Sequence, residues 1–363
     1  MRIGVIGATG KAGRGVIDIL GKETEHFIVL GGRKEEVLDQ LARTLNGQVK
    51  VMYVDVYEEK TLLSFCEECD ALINCAGPSS KILGRIAKAC IEKNCLYVDT
   101  SGDKAMYQKI KQEINKKEDA LCVLSAGIYP GLTEIFADYI AKQYDSIHTL
   151  KEYFRGNSEL SFNAAYDLVS SMENKEGAGM SYCKQGVVTK LTLDSSSSKH
   201  LPNSTEAVMI LPLISEEFLQ IVKTNQIEEG YFYNTFPNHD TMMQFMMIKA
   251  LEQFKTEEQK SQSANKLCRL FLQQKKHSDP SVLLLIESEG KKQEKAKKRE
   301  DVLISDENWN DITGYIAALT TLYLLKQKTP NHGIYFASNV VDSKEMIQKL
   351  LDYKKVQLYK EER

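Results

Sequence analysis

The sequence predicts an α/β fold: a doubly wound parallel sheet, followed by a second α+β domain whose sheet is mostly antiparallel. Three observations carry this. Short apolar runs alternate with helix-period segments from residue 1 to about residue 125, the cadence of strand–helix–strand units. Small and polar residues gather at the C-terminal ends of those runs, the edge where open parallel sheets bind ligands. Beyond residue 143 the cadence stops, and strand candidates follow at irregular spacing.

The first run, residues 2–6, reads as a buried strand feeding straight into Gly7, Ala8, Thr9, Gly10, Lys11, Ala12 and Gly13. Glycine at such a turn lets backbone approach a pyrophosphate. The helix that starts there offers unpaired N–H groups and the positive end of its dipole. The spacing of Gly7, Gly10 and Gly13 departs from the GxGxxG form of NAD sites, and glycines also serve ordinary tight turns. The strand before and the helical pattern of residues 14–20 after favour a bound dinucleotide.

Residues 27–30 are the second strand, ending in Gly31, Gly32, Arg33 and Lys34. An NAD site usually places an acidic residue here for the ribose hydroxyls. Arginine and lysine instead suit the extra phosphate of NADP, with Arg33 the candidate. The alternative is a solvated charge pair at a helix start, where the dipole disfavours cations unless an anion is near. A helix over 35–45 and a strand over 49–54 follow. The strand ends at Asp55, placed either to accept the adenine amino group or to cap the helix over 58–66.

The fourth strand, 71–75, runs into Ala76, Gly77 and Pro78, with Ser79 or Ser80 capping a helix over 82–91. The fifth, 96–98, closes with Asp99, Thr100, Ser101, Gly102 and Asp103. The sixth, 121–124, is followed by Gly127, Ile128, Tyr129, Pro130, Gly131 and Leu132.

The 363 residues suffice for two domains, and 47 basic against 50 acidic residues give a formal charge of -3. No global field therefore favours nucleic acid or an anionic membrane. The basic run 291–299 lacks interleaved aromatics and reads as an exposed hairpin tip. No apolar stretch is long enough to span a bilayer and none opens the chain as a signal segment. Four of the eight cysteines, Cys75, Cys90, Cys95 and Cys122, sit in apolar runs as buried thiols, which fits a reducing cytoplasm. Cys66 and Cys69 form a single CxxC pair, and no two histidines share ligand spacing, so no metal is expected.

Several of these segments together resemble the saccharopine dehydrogenase-like family, in its NADP-using saccharopine reductase branch. They are Gly7-Ala8-Thr9-Gly10 with Gly13, Gly32-Arg33, the run 73–78, Lys88-Ala89-Cys90, the run 97–103 and the run 127–132. The stretches 285–290 and 313–318 are similar to the family's C-terminal strand and returning helix. The resemblance implies NADP as cofactor, with Gly7, Thr9, Gly10 and Gly13 on the pyrophosphate and Arg33 on the adenosine phosphate. Asp55 and Val56 would approach adenine, and Ala76, Gly77 and Pro78 would border the nicotinamide. Ala8, Lys11, Ala12, Thr100 and Ser101 count with the cofactor contacts, and residues 99–103 would line the site. Asp103 stands where many relatives carry glutamate. Residues 1–128 would form a Rossmann domain completed by a returning segment 309–353, with 129–308 as the substrate and dimerisation domain of a homodimer.

The implied chemistry is hydride transfer to or from an imine or secondary amine in an amino-acid-derived substrate. An iminium carbon is already electrophilic, so positioning does most of the work and no catalytic triad is required. Tyr129 is the first candidate for a proton donor, because its phenol is an acid rather than a base at neutral pH. Asp99 either orients a cationic amine or caps its strand end. Arg155 and Arg85 are candidates for a substrate carboxylate. The apolar patch over 242–247, with Met242, Met243, Met246 and Met247, reads as a buried helix, a dimer contact or a channel. The channel would suit a lipid-like enoyl substrate. A third reading is an NADP-binding regulatory or scaffold protein without turnover.

Overall fold

The computed structural model describes every residue except 24, 103, 174–176, 192–197, 276–278, 328, 329, 331 and 363. The chain forms two compact units. One is Met1–Leu132 with Asn310–Met346; the other is Thr133–Trp309 with Ile347–Arg363. The last strand of the chain, Gln357–Glu362, pairs with Lys295–Ser305 within the second unit.

The first unit is built on a seven-stranded sheet. Its strands are β1 (Arg2–Ile6), β2 (Phe27–Gly32), β3 (Val49–Tyr53), β4 (Ala71–Asn74), β5 (Leu96–Asp99), β6 (Leu121–Leu124) and the late strand Gly333–Phe336. The order across the sheet is Gly333–Phe336, β6, β5, β4, β1, β2, β3, and every pairing is parallel. Order reverses on either side of β1, which makes the ends of β1 and β4 the switch point where such sheets bind ligands. The strands are near-continuous apolar runs because helices cover both faces. Ile3, Val5, Val29, Leu72, Ile73, Val98 and Val123 are completely or almost completely buried.

Two glycines explain how the returning helix Trp309–Gln327 joins this unit. A Cβ on Gly15 would lie 2.1 Å from the Asp311 carbonyl oxygen, and one on Gly314 would lie 2.1 Å from that of Ala12. Helix Lys11–Leu20 and the returning helix therefore touch backbone to backbone. Any side chain there would part them.

The second unit carries a ten-stranded sheet with β7 (Ser146–Gly156) near its centre. β7 pairs parallel with Glu229–Phe236 and antiparallel with Val282–Lys292. The sheet is accordingly mixed, with antiparallel pairings in the majority. Val282–Lys292 and Lys295–Ser305 form the long hairpin, and Gln293 and Glu294 at its tip take φ of 50° and 61°. That is the tip expected in the basic run. Arg299, however, is not solvated: it is 3% exposed and paired with the buried Asp301. Ser181–Lys184 and Val187–Lys190 pair as a hairpin at one end of this sheet.

Helix His239–Ala250 divides the methionine patch. Met242 and Ile248 are buried, while Met246 and Met247 are 46% and 43% exposed. Among the described residues, no helix is long and apolar enough to cross a membrane.

Candidate functional site

β1 ends in a turn whose shape is fixed by contacts that only glycine permits. Gly7 has φ of +84°, and a Cβ on it would meet the Ala76 nitrogen and the Cys75 carbonyl carbon, both at 2.7 Å. A Cβ on Gly13 would lie 2.2 Å from the Gly7 oxygen and 2.6 Å from the Ala8 Cα. The Gly10 N–H donates to the Gly7 carbonyl at 2.9 Å, and the Gly10 carbonyl accepts from Arg14 N–H at 3.0 Å, starting the helix. Gly10 stands at the N-cap position without a side-chain cap, and the first turn holds no acidic residue. The first-turn N–H groups of a helix have no intrahelical acceptor. An anion is the remaining partner that both backbone and dipole favour. Ala8 is buried while Thr9, Gly10 and Lys11 are exposed, so the turn opens outward.

The neighbouring strand end, β4, is tied to the end of β5 by a buried polar network. Asn74 donates through Nδ2 to Asp99 Oδ2 at 2.9 Å, and its Oδ1 accepts from Ala76 N–H at 3.0 Å. The Tyr97 hydroxyl donates to the same Asp99 oxygen. Asp99 Oδ1 accepts from Ser101 N–H at 2.8 Å. Burial, then the Asp99 carboxylate beside it, pushes the Tyr97 phenol well up, so it stays protonated as the donor. Asn74 and Asp99 are each 1% exposed. Asp99 therefore faces inward and fixes the backbone of Ala76 and Ser101. The sequence places Asp99 at the strand end but gives no sign of Asn74 as its partner, because that cross-strand alignment is set by register: Asn74 lies opposite Asp99, while Tyr97 precedes Asp99 by two residues on the same strand.

The other expected residues fall around the same edge. Arg33 is exposed at the end of β2, just before helix Glu35–Ala42. A Cβ on Gly31 would strike the Phe65 ring at 2.6 Å, so this glycine serves packing under the strand. Asp55 uses Oδ1 to accept from Tyr57 N–H at 2.9 Å, a local turn, while Glu58 occupies the cap position of helix Glu59–Glu67. Val56 and Ala76 are partly buried against the core of the first unit. Gly77–Pro78 is a cis peptide, followed by helix Ser79–Ile82. Thr100 Oγ1 donates to the Asn74 carbonyl at 3.3 Å. Tyr129, half-buried, precedes Pro130 across a second cis bond in a loop that Gly131 closes at φ of +137°. Asp103 lies outside the described residues.

Cys75 sits beside this network. Burial and, next, the Asp99 carboxylate push its thiol up, which keeps it a thiol rather than a thiolate nucleophile. Cys66 and Cys69 face the core, with Cys66 Sγ 3.7 Å from Cys90 Sγ and Cys69 donating to the Phe65 carbonyl. Among the described residues, no three His, Cys, Asp or Glu side chains group to hold a metal. Arg85 stacks on the Tyr57 ring, 5.2 Å from its centroid. Arg155 lies in the second unit, paired with Asp279.

Comparison with known proteins agrees with this geometry. Residues 3–123 match the family described as saccharopine dehydrogenase NADP binding domain. A lipid droplet localized protein of Caenorhabditis elegans is 25% identical over 178 residues, 44% of this chain and 42% of the relative. A saccharopine dehydrogenase-like oxidoreductase of Bos taurus is 27% identical over 133 residues, 31% of each chain. Each match therefore spans less than half of the relative. The apo saccharopine dehydrogenase (L-Glu forming) of Saccharomyces cerevisiae superposes with a TM-score of 0.69, covering 100% of this chain and 99% of that one. At 12% identity that likeness shows the fold.

Proposed function

We propose, from the premise that the chain belongs to the saccharopine dehydrogenase-like NADP-binding fold family, that it is an NADP(H)-dependent oxidoreductase. The observation that supports this best is the turn from Gly7 to Gly13. Gly7 and Gly13 bring backbone together at distances no side chain tolerates, next to a helix start with neither a cap nor an acid. Gly7, Ala8, Thr9, Gly10, Lys11, Ala12 and Gly13 would hold the pyrophosphate, and Arg33 the adenosine phosphate. Asp55 and Val56 would flank adenine, and Ala76, Gly77, Pro78, Thr100 and Ser101 the nicotinamide end. NADP(H) supplies the hydride when bound.

The substrate in this reading is an imine or secondary amine derived from an amino acid. Asp99 acts as a positioning residue, since its two oxygens hold the backbone of Ser101 and, through Asn74, that of Ala76. Tyr129 is the proton donor. The protein as a homodimer and its place in a reducing cytoplasm belong to the same reading.

A second reading, reduction of a lipid-like enoyl substrate, draws on the exposure of Met246 and Met247 and on the name of the nematode relative. Fluorescence titration with NADPH and NADH tests the cofactor assignment. Arg33→Ala should weaken NADPH by about tenfold or more, the worth of one charge-assisted phosphate contact, and leave NADH nearly unchanged. Equal loss for both, or no binding of either by folded protein, defeats the proposal. Turnover of an imine but not of an enoyl-lipid substrate then separates the two readings, and tight binding without any turnover would leave a regulatory or scaffold role.

A further inference from the structure

We propose that Asn46 is a self-modification site, an asparagine that its own chain converts to aspartate and isoaspartate with water as the co-reactant. It stands in the connection between helix Glu35–Ala42 and β3, at the opposite end of that helix from Arg33. The sequence holds one asparagine followed directly by glycine, Asn46-Gly47. Glycine matters there because the following main-chain nitrogen attacks the asparagine side-chain carbonyl carbon. A Cβ on the attacking residue would crowd the ring that forms.

The fold leaves this pair open. Both residues are exposed, and a Cβ on Gly47 would meet nothing within 4 Å. Gly47 has φ of +132°, backbone that an L side chain rarely adopts. Among the described residues, neither the Asn46 side chain nor the Gly47 N–H has a hydrogen-bond partner. The flanks are anchored instead. The Leu45 N–H donates to the Ala42 carbonyl at 3.1 Å, and the Gln48 carbonyl accepts from Ile28 N–H at 2.9 Å. Asn46 and Gly47 form the arch between those two ties. Asn157, before Ser158, shows the contrast: it is 7% exposed and its Nδ2 donates to the Asp279 carbonyl at 3.1 Å. Asn203 is exposed, but its follower Ser204 carries a Cβ and donates its hydroxyl to the Glu206 carbonyl at 2.8 Å.

The Gly47 nitrogen loses its proton and bonds to Asn46 Cγ, and the side-chain nitrogen leaves with that proton as ammonia. Water then opens the cyclic imide at either carbonyl. One opening gives aspartate. The other gives isoaspartate, whose main chain runs through the former side chain and is longer by a carbon. No oxidant or reductant is needed, and hydroxide speeds the first step. Both products place a carboxylate just beyond the C-terminal end of helix Glu35–Ala42, where the dipole disfavours an anion. Isoaspartate also lengthens the connection into β3, which lies at the edge of its sheet with a neighbour on one side only. Nothing in this site requires the nucleotide.

Peptide mapping of the full chain, held folded at mildly alkaline pH, tests the proposal. Trypsin cuts after Arg43 and Lys50, so residues 44–50 leave as one peptide. That peptide should gain about 1 Da and split into two chromatographic forms, faster at higher pH. A sample unfolded in guanidinium sets the reference. Folding should slow the gain at 44–50 by less than about tenfold, because a segment without hydrogen bonds opens at almost no cost. At Asn157 folding should slow it far more. Asn46→Gln, at an exposed bend, should abolish the gain at 44–50. The wild-type comparison needs no variant, so a folding failure leaves the test standing. The site is overturned by a gain at 44–50 that folding slows as strongly as at Asn157, by an earlier gain elsewhere in the folded chain, or by a gain in that peptide that survives Asn46→Gln.

Discussion

Gly13→Ala is the sharpest perturbation the structure offers. The new Cβ would lie 2.2 Å from the Gly7 oxygen, 2.6 Å from the Ala8 Cα and 2.8 Å from the Ala8 carbonyl carbon. Ordinary contact begins near 3.4 Å, so the gap must open by roughly 1.2 Å. All three neighbours are backbone atoms, and no rotamer change relieves them. Helix Lys11–Leu20 must therefore retreat from the turn, at a folding cost of about 1–3 kcal/mol, typical of overpacking. A displacement of about 1 Å at groups that must meet a ligand costs about 100-fold in productive geometry. NADPH fluorescence titration should show a loss of that order, with urea unfolding reporting the stability cost. Gly179→Ala is the control, since a Cβ there meets nothing within 4 Å. An NADPH affinity for Gly13→Ala within about threefold of wild type, or roughly 0.65 kcal/mol, would refute the close-approach argument.

Three further outcomes follow from particular contacts. Asn74→Leu keeps the branched shape but strips Asp99 and the Ala76 N–H of a buried partner, so urea denaturation should show a loss of about 2–4 kcal/mol; a loss under about 1 kcal/mol would dismiss the network. Tyr129→Phe should lower turnover of an imine substrate while NADPH binding holds, and unchanged kinetics would remove Tyr129 from the chemistry. Glu152, fully buried on β7 with neither carboxylate oxygen partnered, has its pKa pushed well above the ordinary 4.5 by burial and then by Glu134. The folded state then holds a proton that the unfolded chain releases, so stability falls as pH rises above about 4.5. Glu152→Gln should be as stable as wild type near pH 4 and progressively more stable toward pH 8 in urea melts. Parallel curves for the two proteins across that range would show that Glu152 ionises freely.

The sequence by itself determined the first unit. Apolar runs at β1, β2, β4, β5 and β6 are buried on both faces, and burial on both faces makes a run legible without knowing its neighbours. The glycine spacing of Gly7, Gly10 and Gly13 was equally readable, because a chain avoids so many side-chain-free positions unless backbone must come close. What only the tertiary structure decided is which polar groups meet. The alignment of Asn74 with Asp99 depends on strand register, and the contact of Gly15 with Asp311 joins residues nearly three hundred positions apart. Arg155 read as a candidate for a substrate carboxylate, and only the fold pairs it, buried, with Asp279. Local pattern reports how a segment satisfies its own backbone and one face. Which distant partner answers a buried polar atom is settled only when the strands and helices close on one another.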